Sequence, residues 1–465
     1  MVVAVDPISP VAAKLEASAA SYVKENRLPG AAVGVVLGHD LVWWAGVGFA
    51  DIATRRAPDL TSLYRVASIT KTFTGTAIMQ LRDAGKLRLD DPVARHIPEF
   101  GRAGNPFGDI EQVTIRRLLS HESGLQSEPP DTDWRAVRYE GSIARNLARA
   151  AEVSTLVPPN TQQKYSNMGF QLLGEIVARA SGMPYVDYVR GNILEPLAMT
   201  SSGFEPLPPA LSTRRATGYG GRFVSDELEP SSTAPTIWAE GGLWSCVDDL
   251  AQWLSAQLRE DGRILAPKTL REMHTPRYLA DEDWTEAFGL AWYAIRRKDV
   301  IWVQHSGALH GFRSNICFHA KTRVGAIALI NGLGDAATLA MDLGEIAREA
   351  VAAAAPRIEA AAPMPSEYRP LIGIYFDREL GLVLRVEWRD GKLTIVDPQL
   401  PGWRPTLAPS DKPDVFVIEP GVRESGDKAV FRRLPDGRVA SVFIAAGTWM
   451  RLDPVAVPES ARAGS

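Results

Sequence analysis

Apolar residues fall into two rhythms along the chain, one with the period of a helix and one with the period of a strand. Ile69, Phe73, Ala77, Ile78 and Leu81 recur at helical spacing behind a short extended apolar run, Leu63 to Ala67. Residues 10 to 27 read as an amphipathic helix stopped by Leu28-Pro29-Gly30. Ala31 to Leu37 and Leu41 to Phe49, around Gly38-His39-Asp40, read as a hairpin. Thr114 to His121 predicts a short helix, and Asn167 to Ser181 a longer one with Phe170, Leu172, Leu173, Ile176 and Val177 on its apolar side and Gly182 as its stop. Further helices are expected at Asp248 to Leu258, Pro267 to His274 and Ala336 to Ala354. Strands are expected at Phe288 to Ile295, Val300 to Gln304, Ser314 to His319 and Gly325 to Ile330. Strands from both ends with helices between them predict an α+β fold, one antiparallel sheet assembled from distant segments and flanked by helices. Residues 126 to 160 are rich in Pro, Asp and charge and read as surface above a cleft. Residues 200 to 237 read as a long functional loop.

The rhythm changes after an Ala/Pro-rich stretch, residues 351 to 367. Beyond it, short runs at Ile372 to Phe376, Leu382 to Trp388, Lys392 to Val396, Val415 to Glu419, Lys428 to Leu434 and Arg438 to Ile444 are separated by turns such as Asp390-Gly391 and Asp436-Gly437. They predict a second, smaller all-β domain, a barrel or sandwich. The division expected is residues 1–355, a linker at 356–366, and 367–465.

Composition narrows the function classes. The chain has 465 residues, 45% hydrophobic, with a formal charge of -4 and a pI near 6.1. There is no basic run or basic-aromatic stripe, so nucleic acid is not an expected partner. No apolar run approaches the roughly 18 residues of a membrane span. The first residues, MVVAVDPISP, lack a basic n-region and Asp6 interrupts them, so a cytoplasmic location is expected if this is the native start. Cys246 and Cys317 make neither metal spacing nor a disulfide framework and read as buried free thiols. No cofactor and no metal are expected, and oligomeric state is not legible.

Candidate chemistry centres on Ser68 and Lys71. Residues three apart share a helix face, so the amine reaches the hydroxyl. Unpaired N–H groups at a helix start favour a developing oxyanion, and an apolar setting lowers the lysine pKa toward that of a base. S-x-x-K also occurs at Ser21/Lys24 and Ser425/Lys428, the first in a polar helix and the second in a charged turn. Two further triplets are unique in pattern: Tyr165-Ser166-Asn167 before a helix, and His305-Ser306-Gly307 at a strand end. A tyrosine hydroxyl beside a lysine relays a proton, and an asparagine amide holds the lysine and a carbonyl. The Ala308 N–H would join that of Ser68 as an oxyanion donor. Alone, Tyr165 and Asn167 read as a packed tyrosine and a helix cap, and His305 as a strand-end histidine. Their order and uniqueness favour the cleft. His121 and His310 read as structural or peripheral, Trp238 and Trp244 as packing, and Arg313 as solvent-facing or a carboxylate contact.

Those three triplets resemble the motifs of class C β-lactamase and penicillin-binding protein-like serine hydrolases, which include D-aminopeptidases and family VIII esterases. Gly85-Lys86-Leu87, Leu89 to Val93, Ile115 to Leu125 and Gly241 to Ser245 add to the resemblance, which covers Pro10 to Ala354. It implies a β-lactamase/transpeptidase-like fold, with Ser68, Lys71 and Tyr165 catalytic and Asn167, His305, Gly307 and Ala308 contacting substrate or oxyanion. It also implies a small-molecule or peptide substrate. True β-lactamases usually carry Lys-Thr-Gly where this chain has His305-Ser306-Gly307, so a peptidase, amidase or esterase is expected rather than a β-lactamase. An amine or alcohol in place of water would make an acyltransferase or peptide cyclase; loss of turnover would leave a ligand sensor or scaffold. Residues 367–465, with Tyr368, Gly373 and Tyr375, resemble the lipocalin-like C-terminal domain of some of these hydrolases.

Overall fold

A computed structural model describes residues 6–130, 143–220, 238–259, 261–281, 283, 285–354, 363–377, 381–398, 400, 403–444 and 447–452. Most of the interdomain stretch expected at 356–366, residues 131–142 of the 126–160 segment and residues 221–237 of the 200–237 segment lie outside the described residues. The chain divides into two compact units, Met1–Ala354 and Ala355–Ser465.

The first unit is built on an eight-stranded antiparallel sheet. Its strands are β1 (Gly30–Leu37), β2 (Asp40–Gly48), β5 (Tyr278–Leu279), β6 (Glu286–Phe288), β7 (Tyr293–Arg297), β8 (Val300–Leu309), β9 (Phe312–His319) and β10 (Val324–Ile330). Their spatial order is β2-β1-β10-β9-β8-β7-β6-β5. The two remaining strands, β3 (Tyr64–Arg65) and β4 (Trp244–Ser245), pair separately beside the site. The N-terminal hairpin therefore docks on a strand from the far end of the unit, with Ala31 opposite Ile330 and Leu37 opposite Val324.

Burial explains the two kinds of strand pattern. In β1, Ala31, Val33 and Val35 pack into one core with Leu15 and Ala19 of the Ala12–Glu25 helix and Leu339 and Leu343 of the Ala336–Ala354 helix. Ala32 and Val36 on the opposite face belong to the other core, with Ile69, Phe73 and Ile78. A strand covered on both faces reads as a continuous apolar run. β2, at the edge, alternates between exposed and half-buried positions instead.

Three expectations need correction. Phe288 to Ile295 is two strands, because Gly289 turns the chain where a Cβ would lie 2.3 Å from the Met273 carbonyl oxygen. Leu290 and Ala291 then bond to Met273 and Leu119 and enter the core. β8 does not stop at Gln304 but runs on to Leu309, so His305, Ser306 and Gly307 lie inside a strand. The Leu63 to Ala67 run forms a two-residue strand at Tyr64–Arg65, preceded by a bridge from Leu63 to Arg215, and then tightens into a 3₁₀ turn, Ala67–Ile69.

The second unit is a closed eight-stranded antiparallel barrel, β11 to β18: Gly373–Asp377, Leu382–Arg389, Lys392–Val396, Thr406–Pro409, Val415–Ile418, Lys428–Arg433, Val439–Ile444 and Gly447–Leu452. Tyr375, Leu384, Ile395, Phe416, Phe431 and Val442 are among the side chains that form its core. Two of these strands, β14 and β18, were not expected. Thr406–Pro409 is short, and Gly447–Leu452 keeps Met450 and Leu452 exposed, so neither carries a strong apolar signal.

Candidate active site

Ser68 sits in the 3₁₀ turn immediately before the Thr70–Asp83 helix, not within the helix itself. The turn begins at Ala67 in a left-handed conformation, φ 47°, which a non-glycine residue keeps only when its surroundings hold it there. Val66 N–H donates to the Leu243 carbonyl at 3.1 Å, and Ser314 Oγ donates to the Val66 carbonyl at 2.8 Å. Thr70 Oγ1 donates to the Ala67 carbonyl at 2.6 Å and accepts from Leu243 N–H at 3.2 Å.

Lys71 is fully buried. Its Nζ donates to Ser68 Oγ at 3.0 Å and to the Glu240 carbonyl at 2.6 Å, and it lies 5.0 Å from the Tyr165 ring centre and 5.5 Å from that of Phe170. Burial pushes its pKa down to about 7, against the pull of Glu240 and Glu128. The Tyr165 side chain is hydrogen-bonded to Ser68, and burial raises its pKa, keeping the phenol protonated at neutral pH.

Ser166 caps the Asn167–Ser181 helix, its Oγ accepting from Gly169 N–H at 3.0 Å. Asn167 is thereby left at the first helical position, and its amide donates to Glu128 Oε1 at 2.6 Å. The second lysine partner anticipated from Asn167 is supplied instead by the Glu240 carbonyl. His121 is buried beneath Tyr165, with ring centres 4.3 Å apart, and its Nδ1 accepts from Ser166 N–H at 3.1 Å. That contact makes it part of the tyrosine's support.

β8 pairs with β7 only as far as Gln304, leaving His305 to Leu309 with β9 on one side and the cleft on the other. Antiparallel pairing alternates, and the two-residue turn after Leu309 directs the Ala308 N–H toward the free edge. Gly307 is needed for close approach, since a Cβ there would lie 2.1 Å from the Val66 carbonyl oxygen. His305 is buried, donates from Nδ1 to the Ser306 carbonyl at 2.7 Å and stacks edge-on against Tyr293. Burial, then the neighbouring Lys71, push its pKa down to about 3, so the ring is neutral.

Ser68, Tyr165, Asn167, His305, Gly307 and Ala308 all line one cleft of about 660 Å³. Arg313 lines it too, half-buried, with its guanidinium on the Phe312 carbonyl at 2.8 Å. Trp244 is buried and Trp238 packs against the core. Glu128 and Glu240 are the site residues sequence reasoning missed. The signal for Glu240 was an acid inside an apolar, glycine-rich run, Trp238 to Trp244. Among the described residues no cluster of His, Cys, Asp or Glu could hold a metal, and no helix is long and apolar enough to cross a membrane.

Fold and site together define a β-lactamase/transpeptidase-like protein. The β-lactamase family model matches residues 15–350, and the chain belongs to that family. It is 29% identical over 317 residues to β-lactamase-like protein 2 of Dictyostelium discoideum, covering 66% of this chain and 56% of that protein. The chain therefore spans little more than half the length of that relative. The octameric penicillin-binding protein homologue from Pyrococcus abyssi superposes with a TM-score of 0.62 at 24% identity, covering 94% of this chain and 99% of that one. A D-stereospecific amidohydrolase from Streptomyces sp. superposes with a TM-score of 0.60 at 24% identity, covering 71% and 97%. Both likenesses are of fold.

Proposed function

We propose that this protein is a serine hydrolase that cleaves amide, peptide or ester bonds through an acyl-enzyme on Ser68. The observation that carries this reading is the buried Lys71 amine 3.0 Å from Ser68 Oγ. With its pKa held near 7 by burial, the amine is a base over the physiological range. In the proposed reaction Ser68 Oγ attacks the substrate carbonyl carbon while its proton passes to Lys71, with the Tyr165 hydroxyl bridging to the leaving group. The leaving amine or alcohol takes that proton as its bond to carbon breaks. The Ser68 and Ala308 N–H groups bind the oxyanion, and Asn167 and His305 position the substrate. Water then repeats the cycle on the ester and frees Ser68. No step calls for a cofactor.

A neutral His305 supports amide and ester donors over β-lactams, because it offers no fixed charge to a carboxylate. Amide cleavage, named for the Streptomyces neighbour, is extended to this chain as part of the same proposal. The test is intact-mass measurement after exposure to p-nitrophenyl esters, D- and L-amino-acid anilides and a chromogenic cephalosporin. A mass increase on Ser68 with turnover of an ester or anilide is expected; the absence of any adduct and any turnover across the panel would overturn the reading.

A further inference from the structure

Behind Lys71 lies a buried acid that the proposed reaction does not use. Glu240 belongs to the short Trp238–Gly241 helix, and its backbone carbonyl holds the lysine Nζ at 2.6 Å. The residue is 2% exposed. Carboxylate Oε1 accepts from Gln171 Nε2 at 2.8 Å, and Gln171 Oε1 in turn accepts from Asn146 Nδ2 at 2.7 Å. Oε2 is buried without a hydrogen-bond partner. The chain Glu240, Gln171, Asn146 is buried along its whole length.

Two packing details hold the acid in place. Gly174 lets the Asn167–Ser181 helix approach so closely that a Cβ there would lie 2.4 Å from the Ala239 Cβ. Thr74 Oγ1 donates to the Ala239 carbonyl at 2.6 Å. A carboxyl group taken out of water with one oxygen unpaired is costly, and such a group resists ionisation unless a cation is near. The cation here is Lys71, on the facing helix.

We propose that Glu240 is a positioning residue that sets the protonation of Lys71, with Gln171 and Asn146 fixing its carboxyl group. The role assigned to Lys71 is that of the acyl-enzyme reading above. Burial raises the Glu240 pKa to about 8, opposed by Lys71 and by the Gln171 hydrogen bond, while Glu240 is the foremost charge raising that of Lys71. The other titratable groups near the pair are Glu128, Tyr165, Tyr185, His121 and His305. Both tyrosines stay protonated and both histidines stay neutral near pH 7. Glu240 and Lys71 thus titrate as a coupled pair, losing two protons in two linked steps.

The experiment follows the ¹³Cε resonance of Lys71 with pH in protein carrying labelled lysine and Ser68→Ala, the signal being assigned by its loss in Lys71→Arg. Because Ser68 is absent, the titration is independent of acyl chemistry; turnover retained by Ser68→Ala would sink the acyl-enzyme reading and leave this one standing. In the parent the resonance should move in two steps. Adding Glu240→Gln, which keeps an oxygen for Gln171, should leave one step with its midpoint lower by roughly one pH unit. Gln171→Leu removes the bond that favours the ionised acid, so it should lower the midpoint by less. With active Ser68, the acid limb of ester kcat/KM should move in the same direction. A purely structural role would change melting temperature and leave these midpoints where they are. Superimposable titrations of parent and Glu240→Gln would overturn the proposal. If that variant does not fold, an unmoved midpoint in Gln171→Leu would overturn it equally.

Discussion

Lys71 carries its cost and its use in the same methylene-buried amine. The neutral form is the base, so kcat/KM on an uncharged ester should rise with pH through about 7 and then level. Stability runs with the same sign: the folded-state pKa is depressed below the ordinary lysine value, so this stability is fully present above that value and is lost as pH falls through about 7. Lys71→Met should therefore abolish turnover while raising the melting temperature, most below pH 7 and least near pH 10. A calorimetric pH series decides it; a variant destabilised at every pH would contradict the burial argument. Ser68→Ala should lose about a thousandfold or more in turnover, as on removal of a covalent nucleophile. Ser21→Ala and Ser425→Ala should not, since Ser21 Oγ bonds to Glu25 at 2.6 Å and Ser425 Oγ serves a barrel turn. Ser68, Lys71, Tyr165 and His305 were legible because short spacings carry them. Glu128 and Glu240 were not, because each meets the lysine only through tertiary packing.

At the scale of elements, the seam between the Ser68 turn and β8 is the tightest in the site. Gly307→Ala would push a methyl group into the Val66 carbonyl and the Ser314 hydroxyl, at 2.1 and 2.3 Å from the new Cβ. The expected loss is about 1–3 kcal/mol by overpacking, with a fall in kcat larger than any change in KM because the turn that aims Ser68 is displaced. Urea denaturation and ester kinetics on the same sample check both parts. The helices Asn167–Ser181, Pro267–His274 and Ala336–Ala354 could be read from sequence to the residue, since each has an apolar stripe and a stop signal. β8 could not, because its last residues are held by pairing with β9 rather than by apolar periodicity. The break at Gly289 was hidden for the converse reason: Leu290, Ala291 and Trp292 are as apolar as a strand but serve the core as a turn.

At the scale of the molecule, the two units have separate cores, and the residues placed in the reaction all belong to the first. A protein ending at Ala354 should keep turnover of a small activated ester; a soluble, folded truncate with none would mean that the barrel completes the site. The small β-barrel unit was legible in its turns, but the strand that closes it was not, because β18 exposes every second side chain and its pairing with β11 leaves no local trace. The docking of β1 on β10 also sets an order of events during synthesis. A hairpin made near the start waits for a strand roughly 300 residues later, on the order of 15–60 s at ribosomal speed. Until then one of the most apolar strands of the protein has an open edge, so chain release before Val324 leaves an adhesive fragment, whereas release after Ala354 leaves a sheet already closed over.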